Sequence, residues 1–255
     1  MKGLKRFPCG AWQNWNHLGG QTATESSNNW AEIEPDQRIR LVMNLLTQSY
    51  QYPVNGAAGM VGNLWVESGV LPNRIEGSQM ATPLRSKNFQ GQWVDFTAEQ
   101  VMNRHPQTRQ GPRYPGVGLA QWTSAKRRRS LFEHIFQGKQ LGAAILENLE
   151  AQVDYLVTEL QSAYAAVNAI LITPNVAVNA ASDEVVYGFE TPGALLSKQG
   201  QRLARNHPNV QAVFAQRRVH AQRALQVFIT ASLTEIKPPL VNPTDGPNEK
   251  NEATT

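Results

Sequence analysis

Apolar residues recur at helical spacing along most of the chain, and the spacing fails in one central stretch. A helix begins at Pro35, carries Ile39, Val42, Leu45 and Leu46 on one face, and ends before Pro53. Ala57, Ala58, Val61, Leu64 and Trp65 then fall at i, i+1, i+4, i+7 and i+8, one stripe of a second helix. Gly69 stops that helix and Pro72 stands beyond it as a further stop signal. So short a connection makes the two helices neighbours. From residue 73 to 115 the chain is polar and broken by Pro83, Gly91, Pro106, Gly111, Pro112 and Pro115. Only Val101-Met102 and the Gly116 hairpin invite local structure there.

Helical spacing returns after Trp122. Leu131, Phe132, Ile135 and Phe136 predict one helical face, and Ile145, Leu149, Val153, Leu156 and Leu160 a long amphipathic helix. A further helix is expected from Ser182, with Val185, Val186 and Phe189, stopping at Pro192. The last carries Val210, Phe214, Ala221, Leu225 and Phe228 inward. The pattern divides the chain into an N-terminal extension (1–35), a body (36–235) and a tail (236–255) with too little apolar surface to fold. Three Trp in the extension, Trp12, Trp15 and Trp30, argue that it packs onto the body.

Composition adds bounds. Of 255 residues, 41% are hydrophobic and 17% charged, an ordinary globular balance with ample core. The net charge of +4 favours an anionic partner, bacterial cell wall as readily as nucleic acid. A single cysteine, Cys9, excludes an intramolecular disulfide framework. No apolar run is long enough to insert into a membrane, and the basic first residues lack the apolar core of a signal peptide.

Within this frame Glu67 is out of place. It falls in the last turn of its helix, at the negative end of the helix dipole and on the margin of the apolar face. Both effects disfavour its ionised form, which suits a general acid near neutral pH. The flanking residues form two elements, Ala57-Ala58-Gly-x-x-Gly-Asn63-Leu64-x-x-Glu67-Ser68-Gly69 with Pro72-Asn73, and Gly116-Val-Gly-Leu-Ala-Gln121-Trp122. Together they resemble the phage tail lysozyme family, within the lysozyme and lytic transglycosylase superfamily, over about residues 36–230.

That resemblance implies a mainly α, α+β lysozyme-like fold, with a helical lobe, a small β or loop lobe and a cleft between. It implies a cofactor-free muramidase that cuts the β-1,4 bond between N-acetylmuramic acid and N-acetylglucosamine in peptidoglycan, with Glu67 protonating the leaving oxygen. Hydrolysis by two carboxylates needs a second group, and Glu76, nine positions on and beyond a turn, is the first candidate, equally readable as a solvated loop acid. Asp95 is the outside candidate. Ser68, Gln121 and Trp122 are expected to bind or orient the glycan, with Trp122 equally readable as core. Glu190, in a Phe-Glu-x-Pro stretch similar to one in the family, is read as structural. A lytic transglycosylase would use the same Glu67 and release 1,6-anhydro ends without water. A non-catalytic wall-binding or tail-structural protein is the rival of another class.

The remaining motifs change little. Lys126-Arg127-Arg128-Arg129 is either a solvated helix face or a contact for anionic polymer. With no reader motif beside it, nucleic-acid binding is not expected. Cys9, with His17 nearby, offers a nucleophile without an apposed base. The five His lack metal-ligand spacing, so no metal site is expected. An enzyme made without a signal peptide and acting in the periplasm or wall needs delivery, by a phage tail or as a secretion effector, and an inhibitor protein could protect the producer.

Overall fold

The computed structural model describes residues 29–105, 107–108, 111–112 and 114–235. Cys9, Trp12, Trp15, His17 and the tail lie outside the described residues. The protein is mainly helical, 57% helix with a few short strands, the lysozyme-like α+β fold that was expected. The helices are α1 (Pro35–Asn44), α2 (Val54–Ser68), α3 (Ala98–Met102), α4 (Ala125–Phe132), α5 (Leu149–Ser162), α6 (Ala165–Leu171), α7 (Val178–Glu184) and α8 (Pro208–Glu235). The short strands pair as antiparallel hairpins: β1 (Arg85–Lys87) with β2 (Trp93–Asp95), β3 (Gln107–Thr108) with β4 (Gly111–Pro112), and β5 (Ile135–Phe136) with β6 (Lys139–Gln140).

Helix α2 is the axis of the body. Its residues from Gly56 to Leu64 are all buried, because α1, α6, α7 and α8 pack around it. Three glycines make that approach possible. A Cβ on Gly56 would lie 2.0 Å from Leu171 O of α6, one on Gly59 2.5 Å from Ala181 Cβ of α7, and one on Gly62 2.3 Å from Ala221 N of α8. No real side chain tolerates such separations, so three helices close on α2 only because its face lacks Cβ atoms.

The helix ends as its sequence predicts. Gly69 adopts φ 67° and donates its N–H to Trp65 O at 2.8 Å. Arg38 of α1 is buried and donates Nε to Gly69 O at 3.1 Å and Nη1 to Trp30 O at 3.2 Å, placing a cation at the negative helix end. Trp30 is buried in turn, its indole N–H on Glu147 O at 3.2 Å.

Several elements depart from the pattern-based reading. Helix α3, where Thr97 and Gln100 exchange side chain and backbone bonds, falls where Val101-Met102 invited local structure, but the stretch after residue 73 also holds the β1–β2 hairpin. Arg85-Ser86-Lys87 has no apolar alternation, so periodicity does not reveal it as a strand. Ile135 and Phe136 do not extend the α4 face. They form β5, and a two-residue turn with Gln137 at φ 51° and Gly138 at φ 79° leads into β6. Ile145 lies in a 3₁₀ segment (Gly142–Glu147), and Asn148 caps a separate α5 by accepting from Ala151 N–H at 2.8 Å. Helix α6 has no counterpart in the pattern-based reading. Helix α7 starts at Val178 rather than Ser182, continues as a π-helical segment (Val185–Glu190) and stops at Thr191, before Pro192.

Candidate active site

Glu67 reaches the surface from the last turn of α2, with 21% of its side chain exposed. Its setting is not the apolar one expected. Oε1 accepts a hydrogen bond at 2.6 Å from Nη2 of Arg217, a side chain only 6% exposed on the inner stripe of α8 between Phe214 and Ala221. Arg217 Nη1 donates to Asn63 O at 3.2 Å, one turn before Glu67, while its buried Nε has no hydrogen-bond partner. Asn63 is itself buried, and its amide donates to Gly59 O of its own helix at 2.9 Å and ties α2 to α7 through Ser182 O at 3.1 Å. The acid is therefore seated by an arginine that the same helix positions.

Behind this pair lies a ladder of alternating charge. Glu190 ends the π-helical segment after α7, and its Oε1 is buried with no hydrogen-bond partner. Burial pushes the Glu190 carboxyl well above the ordinary carboxylate range, and the charge on Glu67 pushes the same way; Arg127 and Arg217 act against both. Arg127 stacks over the Phe189 ring at 4.6 Å and pairs with Glu159 at 2.7 Å. Glu159 Oε2 accepts the indole N–H of Trp122 at 2.8 Å. Trp122 is fully buried and edge-on to Tyr155, with ring centroids 5.1 Å apart.

The Gly116–Trp122 element packs on the segment that leaves α2. Val117 bridges both Ile75 and Trp122, and Glu76 exchanges bonds with Gly116: Glu76 N–H to Gly116 O at 2.8 Å, and Gly116 N–H to Glu76 Oε2 at 2.9 Å. Gln121, at φ 45°, turns its amide inward to donate to Arg74 O at 3.1 Å and Gly118 O at 3.0 Å. Gln152, fully buried on α5, locks the arrangement. Its Nε2 donates to Pro72 O at 2.7 Å and Ile145 O at 2.9 Å, and its Oε1 accepts from Leu119 N–H at 2.9 Å. A Cβ on Gly118, at φ 74°, would meet that Oε1 at 2.6 Å, so only glycine fits there.

The predicted residues thus fall into distinct places. Glu67 is solvent-reaching, while Glu76 is half-buried and engaged with the Gly116 backbone. Ser68 is fully buried and donates back to Leu64 O at 3.1 Å, so neither it nor Trp122 presents surface to a glycan. Asp95 stands on the exposed β1–β2 hairpin, 77% exposed and 3.8 Å from Arg85. The Lys126–Arg129 run is not one face: Arg127 belongs to the charge ladder, and Arg128 is buried, donating to Pro115 O and, at 2.7 Å, to Val101 O. Lys126 and Arg129 alone are exposed. Among the described residues no three His, Cys, Asp or Glu side chains are grouped to hold a metal ion.

Sequence reasoning missed Arg217, Gln152 and Glu159, and held Asn63 as a motif position without a role. Arg217 and Gln152 interrupt apolar helix stripes with polar atoms, which was the available signal. Backbone strain marks the same places. Val70 and Thr191 are the β-branched residues at positive φ among the described residues, at 59° and 46°, and they follow Glu67 and Glu190 closely.

A buried central helix that delivers one solvent-reaching glutamate beside a small, loop-rich lobe defines a lysozyme-like protein. The chain belongs to the phage tail lysozyme family, whose model matches residues 37–226. No curated protein and no solved structure matches it. Family membership brings a lysozyme-like, peptidoglycan-lytic activity. No helix among the described residues is long and apolar enough to cross a membrane.

Proposed function

We propose that the protein is a muramidase that hydrolyses the β-1,4 bond between N-acetylmuramic acid and N-acetylglucosamine, with Glu67 as general acid. The observation that carries this reading is the seating of Glu67, solvent-reaching at the end of a buried helix and held by Arg217 at 2.6 Å. A held carboxyl keeps its orientation toward the leaving oxygen, which is the larger part of what a general acid must supply besides its proton. Glu76 is the second carboxylate we assign, because Gly116 N–H fixes one of its oxygens at the start of the element that follows the acid helix. Gln121 lies half-buried in that element, and Ser68 and Trp122 support the site from behind rather than touching sugar.

One observation favours the transglycosylase reading. Glu76 holds the Gly116 hairpin, which gives it a structural task and leaves Glu67 as the acid and, later, the base. Digestion of purified peptidoglycan separates the two: hydrolysis leaves reducing N-acetylmuramic acid ends, and transglycosylation leaves 1,6-anhydro ends. The net basic chain suits an anionic wall polymer. A phage tail or secretion machine would deliver the enzyme to the periplasmic side, and a cognate inhibitor would protect the cell that makes it.

A further inference from the structure

We propose that the outer face of the β1–β2 hairpin is a saccharide-binding surface. On it the Trp93 indole stacks against an N-acetylhexosamine ring, and Lys87 meets a carboxylate of the peptides that a wall strand carries. The proposal rests on the reading of the protein as a peptidoglycan-lytic enzyme and deepens it. The hairpin register decides which residues share a face. Arg85 lies opposite Asp95, Ser86 opposite Val94 and Lys87 opposite Trp93. Strand alternation puts Ser86 and Val94 on one face and the other four residues on the opposite one. The first face is fastened to the body: Ser86 is buried, and its hydroxyl donates to Glu76 O at 2.8 Å, tying the hairpin to the segment that leaves α2. The second face is open, and Trp93 on it is 53% exposed.

Leaving an indole half in water forgoes burial that would stabilise the fold. The hairpin nevertheless holds it in a fixed place. Arg104 is buried, stacks over the Phe89 and Phe96 rings at 5.2 and 4.4 Å, and donates to Lys87 O at 2.6 Å, directly across from Trp93. At the tip, Asn88 Oδ1 accepts from Gln90 N–H at 3.0 Å and from Gln92 N–H at 2.9 Å. A ligand that stacks here meets a ring already in position, which lowers the ordering cost of binding. The C–H face of a hexosamine ring is flat and apolar and matches the face of an indole. Charge identifies the polymer. Arg85 faces Asp95 at 3.8 Å, whereas Lys87 stands over the indole, 5.6 Å from its centroid, rather than on a carboxylate. Two cations against one carboxylate leave this face positive, complementary to the acidic peptides of a wall strand. A neutral glycan would use the indole alone, and a wall strand uses both.

The test is equilibrium binding in a Glu67→Gln background, which leaves the ligand uncut, with two probes. One is neutral β-1,4-linked N-acetylglucosamine oligomers, and the other is soluble peptidoglycan strands that retain their peptides. Trp93 and Lys87 are both exposed, so either can be replaced without disturbing the core. Trp93→Ala should raise the Kd of both probes by about tenfold, and Trp93→Tyr by less than about threefold, because the smaller ring still stacks. Lys87→Gln should raise the Kd of the peptide-bearing strands alone, by an amount that shrinks as salt rises. A Trp93→Ala protein that binds both probes as tightly as its parent overturns the proposal. So does a Lys87→Gln effect that is equal on the two probes or absent at low salt. A dimer in sedimentation that Trp93→Ala dissociates would give the face to a second copy of the chain and overturn it as well. A wild type that lyses no peptidoglycan defeats the glycosidase reading instead, while these binding constants still report on the hairpin.

Discussion

Arg217 donates to Glu67 at 2.6 Å across 150 residues of sequence, joining the last helix of the body to the end of its central one. The bond links fold to function, because the arginine that seats the acid also binds Asn63 O of the same helix. Arg217→Lys keeps the charge but cannot reach both acceptors in a planar fork. We expect a folded protein with kcat lowered by about one to two orders of magnitude, the scale of a misplaced catalytic group. Arg217→Met should also lower the melting temperature, since it leaves a half-buried carboxylate without its partner. Thermal melts alongside turnover on purified peptidoglycan check both.

The close helix packing makes its own prediction. Gly59→Ala places a Cβ 2.5 Å from Ala181 Cβ and 2.8 Å from Ala181 C, so backbone must move. Overpacking of this kind costs about 1–3 kcal/mol. For a chain of this size that is a fall of roughly 2–4 °C per kcal/mol in melting temperature. Gly193→Ala is the control for general glycine effects, since nothing lies within 4 Å of a Cβ there and its φ is outside the left-handed region.

The acid limb of stability should depend on Asp154. Burial raises its carboxyl, but hydrogen bonds from His134 at 2.6 Å and Tyr50 at 2.6 Å, with the charge of His134, bring the net position below the ordinary value of 3.8. A lowered carboxyl binds its proton less tightly when folded, so its stabilisation is present above 3.8 and is lost as pH falls through the folded value. Asp154→Asn should lose about 1–3 kcal/mol at neutral pH and show a shallower decline below pH 3.8. Chemical denaturation from about pH 2 to 7 measures it.

Glu190 has the opposite sign. Burial holds its carboxyl well above the ordinary value of 4.5, so the folded state binds the proton more tightly and stability falls as pH rises from 4.5 through the folded value. Glu190→Gln should remove that fall. Parallel denaturation curves for wild type and Glu190→Gln across this range would contradict it.

The legible part of this protein was what repeats along the chain or ends an element. The α2 stripe, its stop at Gly69 and the inner face of α8 followed from apolar spacing and stop residues. The β1–β2 and β5–β6 hairpins did not, because strands of two or three residues carry no measurable alternation. Within the site, Glu67 could be singled out because a carboxylate at a helix C-terminus contradicts local electrostatics. Arg217 could not be paired with it, since that contact exists only once α8 lies across α2. Ser68 read as a ligand contact from motif alone and Trp122 as either ligand contact or core, and packing turned both inward.

The central claim is that Glu67 is the acid. Glu67→Gln retains size, polarity and an acceptor for Arg217 but has no proton to give. The deciding measurement is the rate at which equal amounts of wild-type and Glu67→Gln protein, matched in melting temperature, release muropeptides from purified peptidoglycan. The account predicts a loss of at least about two orders of magnitude. Release by Glu67→Gln at a rate near that of the wild type would contradict it.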